Sequence, residues 1–85
     1  MQRRVRGRPG STYFKPAGIG MRELSEVNLG KDEFEAIRLV DFENLSQGEA
    51  GVKMNVSQPT LSRILESARR KIADAIVNGK AIKIE

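Results

Sequence analysis

Apolar residues recur through the second half of the chain with the spacing of a helix. Leu61, Ile64, Leu65, Ala68, Ile72, Ala75 and Ile76 fall three and four apart, which is the stripe of an amphipathic helix. Ser57 stands ahead of it as an N-cap, Pro59 occupies the first turn, where a missing amide proton costs nothing, and Asn78-Gly79 is a stop. The pattern predicts a helix from Gln58 to Asn78, about 31 Å long at about 1.5 Å per residue. A shorter helix precedes it. Ser46 and Glu49, three apart, make a capping-box pair. Ala50 and Met54 give that helix one apolar stripe, and Gly51 beside the stripe leaves room for a crossing backbone. Asn55 tolerates the left-handed conformation that ends many helices, and Val56 supplies an apolar plug for the turn.

An earlier helix is predicted from Gly30, as N-cap, to about Phe42. Asp32, Glu33 and Glu35 in its first turns suit the positive end of the helix dipole. Phe34, Ile37, Leu39, Val40 and Phe42 form a broad apolar surface expected to pack on both later helices. The three acids lie one, two and three apart and do not converge on one point of a helix. A solvated first turn is expected there, and no metal site.

Alternation at residues 26–29 and 81–85 predicts short strands, the second pairing with the first or with a partner's chain. Tyr13-Phe14 reads as a short extended piece assigned to the core, and residues 16–20 as a loop by their Pro and Gly content. Residues 1–10, MQRRVRGRPG, have almost nothing apolar to bury and are expected to form a disordered basic arm. Residues 11–85 are then a single domain. The end of the long helix, residues 72–77, is more apolar than a solvent-exposed extension needs. Either the Tyr13 region or a second subunit is expected to cover it, and a homodimer would suit a two-fold DNA site.

Composition narrows the chemistry. The chain has 85 residues, with no cysteine and no histidine. That removes disulfides, zinc fingers and iron–sulfur sites, and the usual general base of hydrolases. No enzyme activity, cofactor or metal is expected. No apolar run approaches the roughly 20 residues that span a bilayer, and the basic N-terminus lacks the apolar core of a signal peptide, so a cytoplasmic protein without membrane contact is expected. The net charge is +4, unevenly spread. Residues 1–22 hold six bases and no acid, residues 23–49 eight acids against two bases, and residues 50–85 seven bases against three acids. Two basic ends around an acidic middle suit a polyanion touched by both ends.

Two capped helices around a tight turn form a helix-turn-helix, whose second helix enters the major groove N-terminus first. Gln58, Thr60, Ser62 and Arg63 line the outer side of its first turns and suit base edges. The plain alternative is a helical hairpin with a solvated outer face. Arg69, Arg70 and Lys71 follow; they touch flanking phosphates or only keep the helix soluble. Glu66 and Asp74 are each placed four residues from Arg70 for pairing. In the arm, Arg6-Gly7-Arg8-Pro9 matches the core of the AT-hook. With Arg3 and Arg4 it either reads a narrow minor groove or touches phosphates without preference.

The run IRLVDFENLS, then QGEAGVKMNVSQPTLSRI, then ESARRKI resembles region 4 of the sigma-70 class of factors. More closely, TYFKPAGI, REL, RILESARRK and VNGKAIKIE are similar to the uncharacterised prokaryotic family 0251, also called domain of unknown function 134. The resemblance covers nearly all of residues 12–85 and implies a predicted DNA-binding fold. The motif match implies a phosphate contact for Gln47, base contacts for Ser57, Gln58, Pro59, Ser62 and Arg63, and a backbone contact for Thr60. Gly51 stands where alanine is usual and Asn55 where glycine is usual. A sigma factor also needs a module for promoter melting, for which 85 residues leave no room.

The expected fold is therefore mainly α: a sigma region 4-like helix-turn-helix with a long C-terminal recognition helix and short extended segments near both ends. The expected function is sequence-specific binding of double-stranded DNA by a homodimeric transcriptional regulator. Ser57, Gln58, Pro59, Ser62 and Arg63 would meet bases, and Ser46, Gln47, Thr60, Arg69 and Arg70 the DNA backbone. Arg3, Arg4, Arg6 and Arg8 would grip the minor groove or backbone. The alternatives are an adaptor that docks on a protein such as RNA polymerase, and an RNA-binding protein using the arm.

Overall fold

The computed structural model describes residues 3–18 and 24–85. The longest element is α3 (Gln58–Asn78), at the predicted bounds. Ser57 Oγ accepts from the Thr60 amide to start it, and Gly79, at φ 65°, ends it. Before it comes α2 (Gln47–Met54). Ahead of that, α1 (Lys31–Ala36) widens without a break into a π-helical segment, Ile37–Phe42. Strands β1 (Tyr13–Phe14), β2 (Glu26–Leu29) and β3 (Ala81–Ile84) form one sheet in the order β1-β3-β2. The closing strand pairs parallel with β2, Val27 beside Ile82 and Leu29 beside Ile84, and antiparallel with β1. The protein is mainly α with a small sheet.

The apolar stripe of α3 serves two cores. Its first half, Leu61, Ile64 and Leu65, packs with Ala36, Leu39, Ala50 and Met54. Its second half, Ala68 and Ile72, packs with Leu29, Phe34, Ile82 and Ile84. Ile37 touches both clusters and joins them.

Several expectations are corrected. The first turn of α1 is not solvated: Glu33 is 8% exposed and Glu35 only 1%. Glu33 accepts from Ser67 Oγ, Lys71 Nζ and the Gly30 amide, which ties α1 to α3. Phe42 is 79% exposed. The wider π turn, whose hydrogen bonds reach one residue further, rotates it off the face that helical spacing assigned to it. Of the aromatic pair, Tyr13 is half-buried with its hydroxyl donating to Glu26, while Phe14 lies mostly in solvent. Phe14 lines an open groove with Ala75, Ile76 and Ile82. Arg70 pairs with neither Glu66 nor Asp74, since Asp74 accepts instead from Asn78 and Lys80. In the predicted loop, Gly18 adopts φ 81°, and Ile19 and Gly20 lie outside the described residues.

The arm departs furthest from expectation. Where composition reads as a free tail, the Arg4 amide donates to the Met54 carbonyl at 3.0 Å. The Arg6 and Gly7 amides donate to Glu35 at 3.0 and 3.1 Å. The arm has almost no apolar side chain to bury, so it is held by its backbone amides and by the ion pair of Arg3 with Asp32 at 2.7 Å.

Burial pushes the Glu35 carboxyl up, but hydrogen bonds from Arg38 and from the Arg6 and Gly7 amides outweigh it and leave it below the ordinary range. Glu33 is likewise raised by burial and lowered further by Lys71, Ser67 and the Gly30 amide. Both carboxyls therefore titrate lower folded than unfolded. Their stabilisation is complete above the unfolded value of about 4.3 and drains away as the pH falls through the folded values. In urea titrations between neutral and acid pH, wild type is expected to lose stability below that point. Glu33→Gln and Glu35→Gln should be less stable at neutral pH and show a shallower acid decline.

Candidate nucleic-acid interface

The crossing of α2 on α3 is set by small residues and caps. Ser46 Oγ accepts from the Glu49 amide while the Glu49 carboxylate accepts from the Ser46 amide. The hydrogen bond from the Ser46 amide is the main cause that holds the Glu49 carboxyl below its usual value. Asn55 closes the helix at φ 60° in the left-handed region. The Val56 amide then turns back to the Gly51 carbonyl. A Cβ on Gly51 would meet the Val56 carbonyl oxygen at 3.0 Å, so glycine admits the close approach of the turn. Val56 itself packs on the first core.

That geometry leaves the first turns of α3 facing outward. Gln58, Pro59, Ser62 and Arg63 are exposed. Gln58, Ser62 and Arg63 make no side-chain hydrogen bond with a described residue. The Ser57 hydroxyl is engaged otherwise, accepting from the Thr60 amide and donating to Thr60 Oγ1 at 2.9 Å. Ser46 Oγ likewise accepts from an amide, that of Glu49, at the start of α2.

Two grooves flank this helix end. One gathers Gln47, Ser62, Glu66, Arg69 and Arg70, bringing four of the predicted residues together. The other gathers Arg3 with Asn55, Val56, Ser57 and Thr60, so the arm reaches the start of α3. Arg69 is not free: its Nε and Nη2 donate to both Asp41 oxygens at 3.1 and 2.6 Å. These bonds raise the Arg69 pKa further. Arg70 has no such partner among the described residues.

The ion pairs sort the charges. Acids of the middle segment take Arg3, Arg38, Arg69 and Lys71 as partners. Arg4, Arg6, Arg8, Lys53, Arg63 and Arg70 form no ion pair with a described residue. Sequence reasoning missed two residues of this surface. Glu66 shares a groove with Ser62 and Arg70, where a carboxylate suits a cytosine amino group. Lys53 shares one with Arg6. No local spacing along α2 or the arm would have revealed that second pairing, because it depends on where the arm docks.

A family model described as a protein of unknown function, DUF134, matches residues 1–85. A UPF0251 protein of Moorella thermoacetica is 59% identical over 83 residues, covering 98% of this chain and 56% of that protein. One from Pelotomaculum thermopropionicum is 56% identical over 82 residues, with 96% and 62% covered. One from Halothermothrix orenii is 54% identical over 84 residues, with 99% and 62% covered. The chain thus spans less than two thirds of the length of these relatives. No solved structure matches it. No helix of the described residues is long and apolar enough to cross a membrane.

The Gly51 contact makes a prediction. Gly51→Val inserts a branched side chain against the Val56 carbonyl and should destabilise the fold by about 1–3 kcal/mol, measured by chemical denaturation.

Proposed function

The chain belongs to the DUF134 family of proteins of unknown function, and we propose that it is a sequence-specific DNA-binding protein, a transcriptional regulator built on a helix-turn-helix. In this reading α2 is the supporting helix and α3 the recognition helix, arranged as in region 4 of sigma-70 class factors. One observation carries it. Two capped helices meet at the close Gly51–Val56 contact and present an α3 N-terminus whose polar side chains Gln58, Ser62 and Arg63 have no partner among the described residues.

Gln58, Ser62 and Arg63 are the base-reading set, with Pro59 packed beside the groove wall and Ser57 setting the helix start. Gln47, Thr60 and Arg70 hold phosphates. Ser46 supports them by capping α2, and Arg69 joins when its pair with Asp41 opens. A homodimer completes the reading. Ile76 and Val77, 74% and 79% exposed at the far end of α3, are its apolar contact, and two-fold pairing would present two α3 helices to a palindromic site. The absence of a His or Cys catalytic pair from the sequence keeps the reading non-enzymatic.

The competing reading is an adaptor for a protein such as RNA polymerase, and the exposed Phe42, Ile76 and Val77 favour it. An RNA-binding arm is less well supported, because the Arg6 and Gly7 amides are already engaged by Glu35.

Selection of a binding site from random duplexes, followed by fluorescence anisotropy, tests the reading. Arg63→Ala should weaken binding to the selected site by about 1–3 kcal/mol and relax preference at one base pair. Arg70→Ala should weaken all duplexes alike and reduce the salt dependence. Binding indifferent to salt and to both substitutions would favour the adaptor.

A further inference from the structure

The arm's docking site is more exacting than a solvated tail requires. Glu35 is 1% exposed, and each of its oxygens accepts two hydrogen bonds. Oε1 takes Gly7 N and Arg38 Nε at 3.1 and 2.8 Å, and Oε2 takes Arg6 N and Arg38 Nη2 at 3.0 and 2.9 Å. A carboxylate offers about four lone-pair sites, and all are used. A Cβ on Gly7 would overlap Nε and Cδ of Arg38. Arg38 cannot swing aside without breaking its fork on Glu35 and its contact with Glu43. Glycine at this position is thus demanded by the protein's own surface. The same glycine cannot lie on a minor-groove floor while it is docked here.

Docking also decides where the arginines go. Arg6 lies in a groove with Lys53. The Arg4 amide is fastened to the end of α2. Arg3 lies beside Ser57 and Thr60 at the start of α3 and is 46% exposed despite its pair with Asp32. Arg6 with Lys53, then Arg4, then Arg3 trace a basic edge that runs into the N-terminus of α3.

We propose that Glu35 docks residues 3–7 as a preformed phosphate-binding edge, so that the arm and α3 engage one DNA duplex as a single surface. The proposal rests on the DNA-binding reading and assigns the arm to the sugar-phosphate backbone beside the groove that α3 reads. Glu35 and Gly7 are positioning residues in it, Arg4, Arg6 and Lys53 supply the charge, and Arg3 joins them when its pair with Asp32 opens.

The test is a salt series of anisotropy titrations with full-length protein and duplexes of about 30 base pairs, where the log–log slope falls by about 0.9 for each phosphate that is no longer neutralised. The variants are Gly7→Ala, the triple Arg3→Ala/Arg4→Ala/Arg6→Ala, and Arg63→Ala as a control on α3, each checked by thermal melting. Gly7→Ala should lower the slope nearly as far as the triple variant, by about two to three in magnitude, with a lower melting temperature, because Glu35 loses two amide donors, and a cooperative transition that still lies above the assay temperature. Adding it to the triple variant should cause no further decrease, and A·T-rich and G·C-rich duplexes should respond alike. A wild-type slope for Gly7→Ala beside a reduced slope for the triple variant would overturn docking. So would an arm-dependent preference for A·T-rich duplex, which would mean minor-groove reading by an undocked arm. Unchanged slopes for both, with Arg63→Ala still weakening binding, would remove the arm from the interface. If wild type binds no duplex, the DNA-binding reading fails and takes this proposal with it.

Discussion

Leu61, Ile64 and Leu65 bury against the helices, and Ala68 and Ile72 against the sheet, so one helix must provide the apolar wall for two cores. Everything else is arranged around that constraint. A chain of this size has a small interior, and a 21-residue helix lets a small helical layer and a small sheet share one scaffold. The helix is also longer than either core, and Gln58, Ser62 and Arg63 in its first turns and Ile76 and Val77 in its last are exposed. The capped start of α3 is held from behind by Leu61 and Met54, while its polar side chains remain in water.

Electrostatics complete what apolar burial begins. The desolvation of a carboxylate is costly unless its lone pairs are satisfied, and Glu33 and Glu35 are satisfied by groups distant in sequence. Glu33 takes Ser67 and Lys71 of α3, and Lys71 also reaches the Asn28 carbonyl of β2. A single ammonium group thereby links α1, α3 and the sheet. Glu35 takes the arm. The acidic middle of the chain, which suits a segment turned away from a polyanion, instead serves as internal partner for four bases. Of the cations without described partners, Arg4, Arg6 and Arg8 lie on the arm, Lys53 on α2, and Arg63 and Arg70 on α3, while Lys15 and Lys31 lie elsewhere.

Much of the candidate interface was legible in the residues. Caps are short-range devices, so Ser46 with Glu49, Asn55, Ser57 and Gly79 could be read from neighbours two to four positions away, and all adopt the conformations their chemistry favours. The outward set Gln58, Ser62 and Arg63 follows from being opposite the apolar stripe. Ser57 was legible as a cap and as a motif position at once, and its hydrogen bonds to Thr60 show the cap. What escaped was long-range. Arg69 meets Asp41 and Glu33 meets Lys71 across 28 and 38 positions, and no local spacing records those distances. Phe42 escaped for another reason: a π-helical turn rephases the side chains that follow, and a count by threes and fours has no way to anticipate it.

By itself the sequence determined the helices, their ends, the alternating strands at residues 26–29 and 81–85, the second one residue shorter in the fold, and the polar first turns of α3. Each follows from backbone sterics and side-chain periodicity within a few residues. Tertiary structure alone decided that β3 pairs between β1 and β2, that two acids of an apparently solvated turn are buried, and that the arm is fastened to α1 and to the end of α2. Those outcomes depend on which donors the folded chain brings to a desolvated acceptor. For Glu35 the donors are the amides of Arg6 and Gly7, 29 and 28 residues away, and only the packed helices bring them within hydrogen-bonding reach.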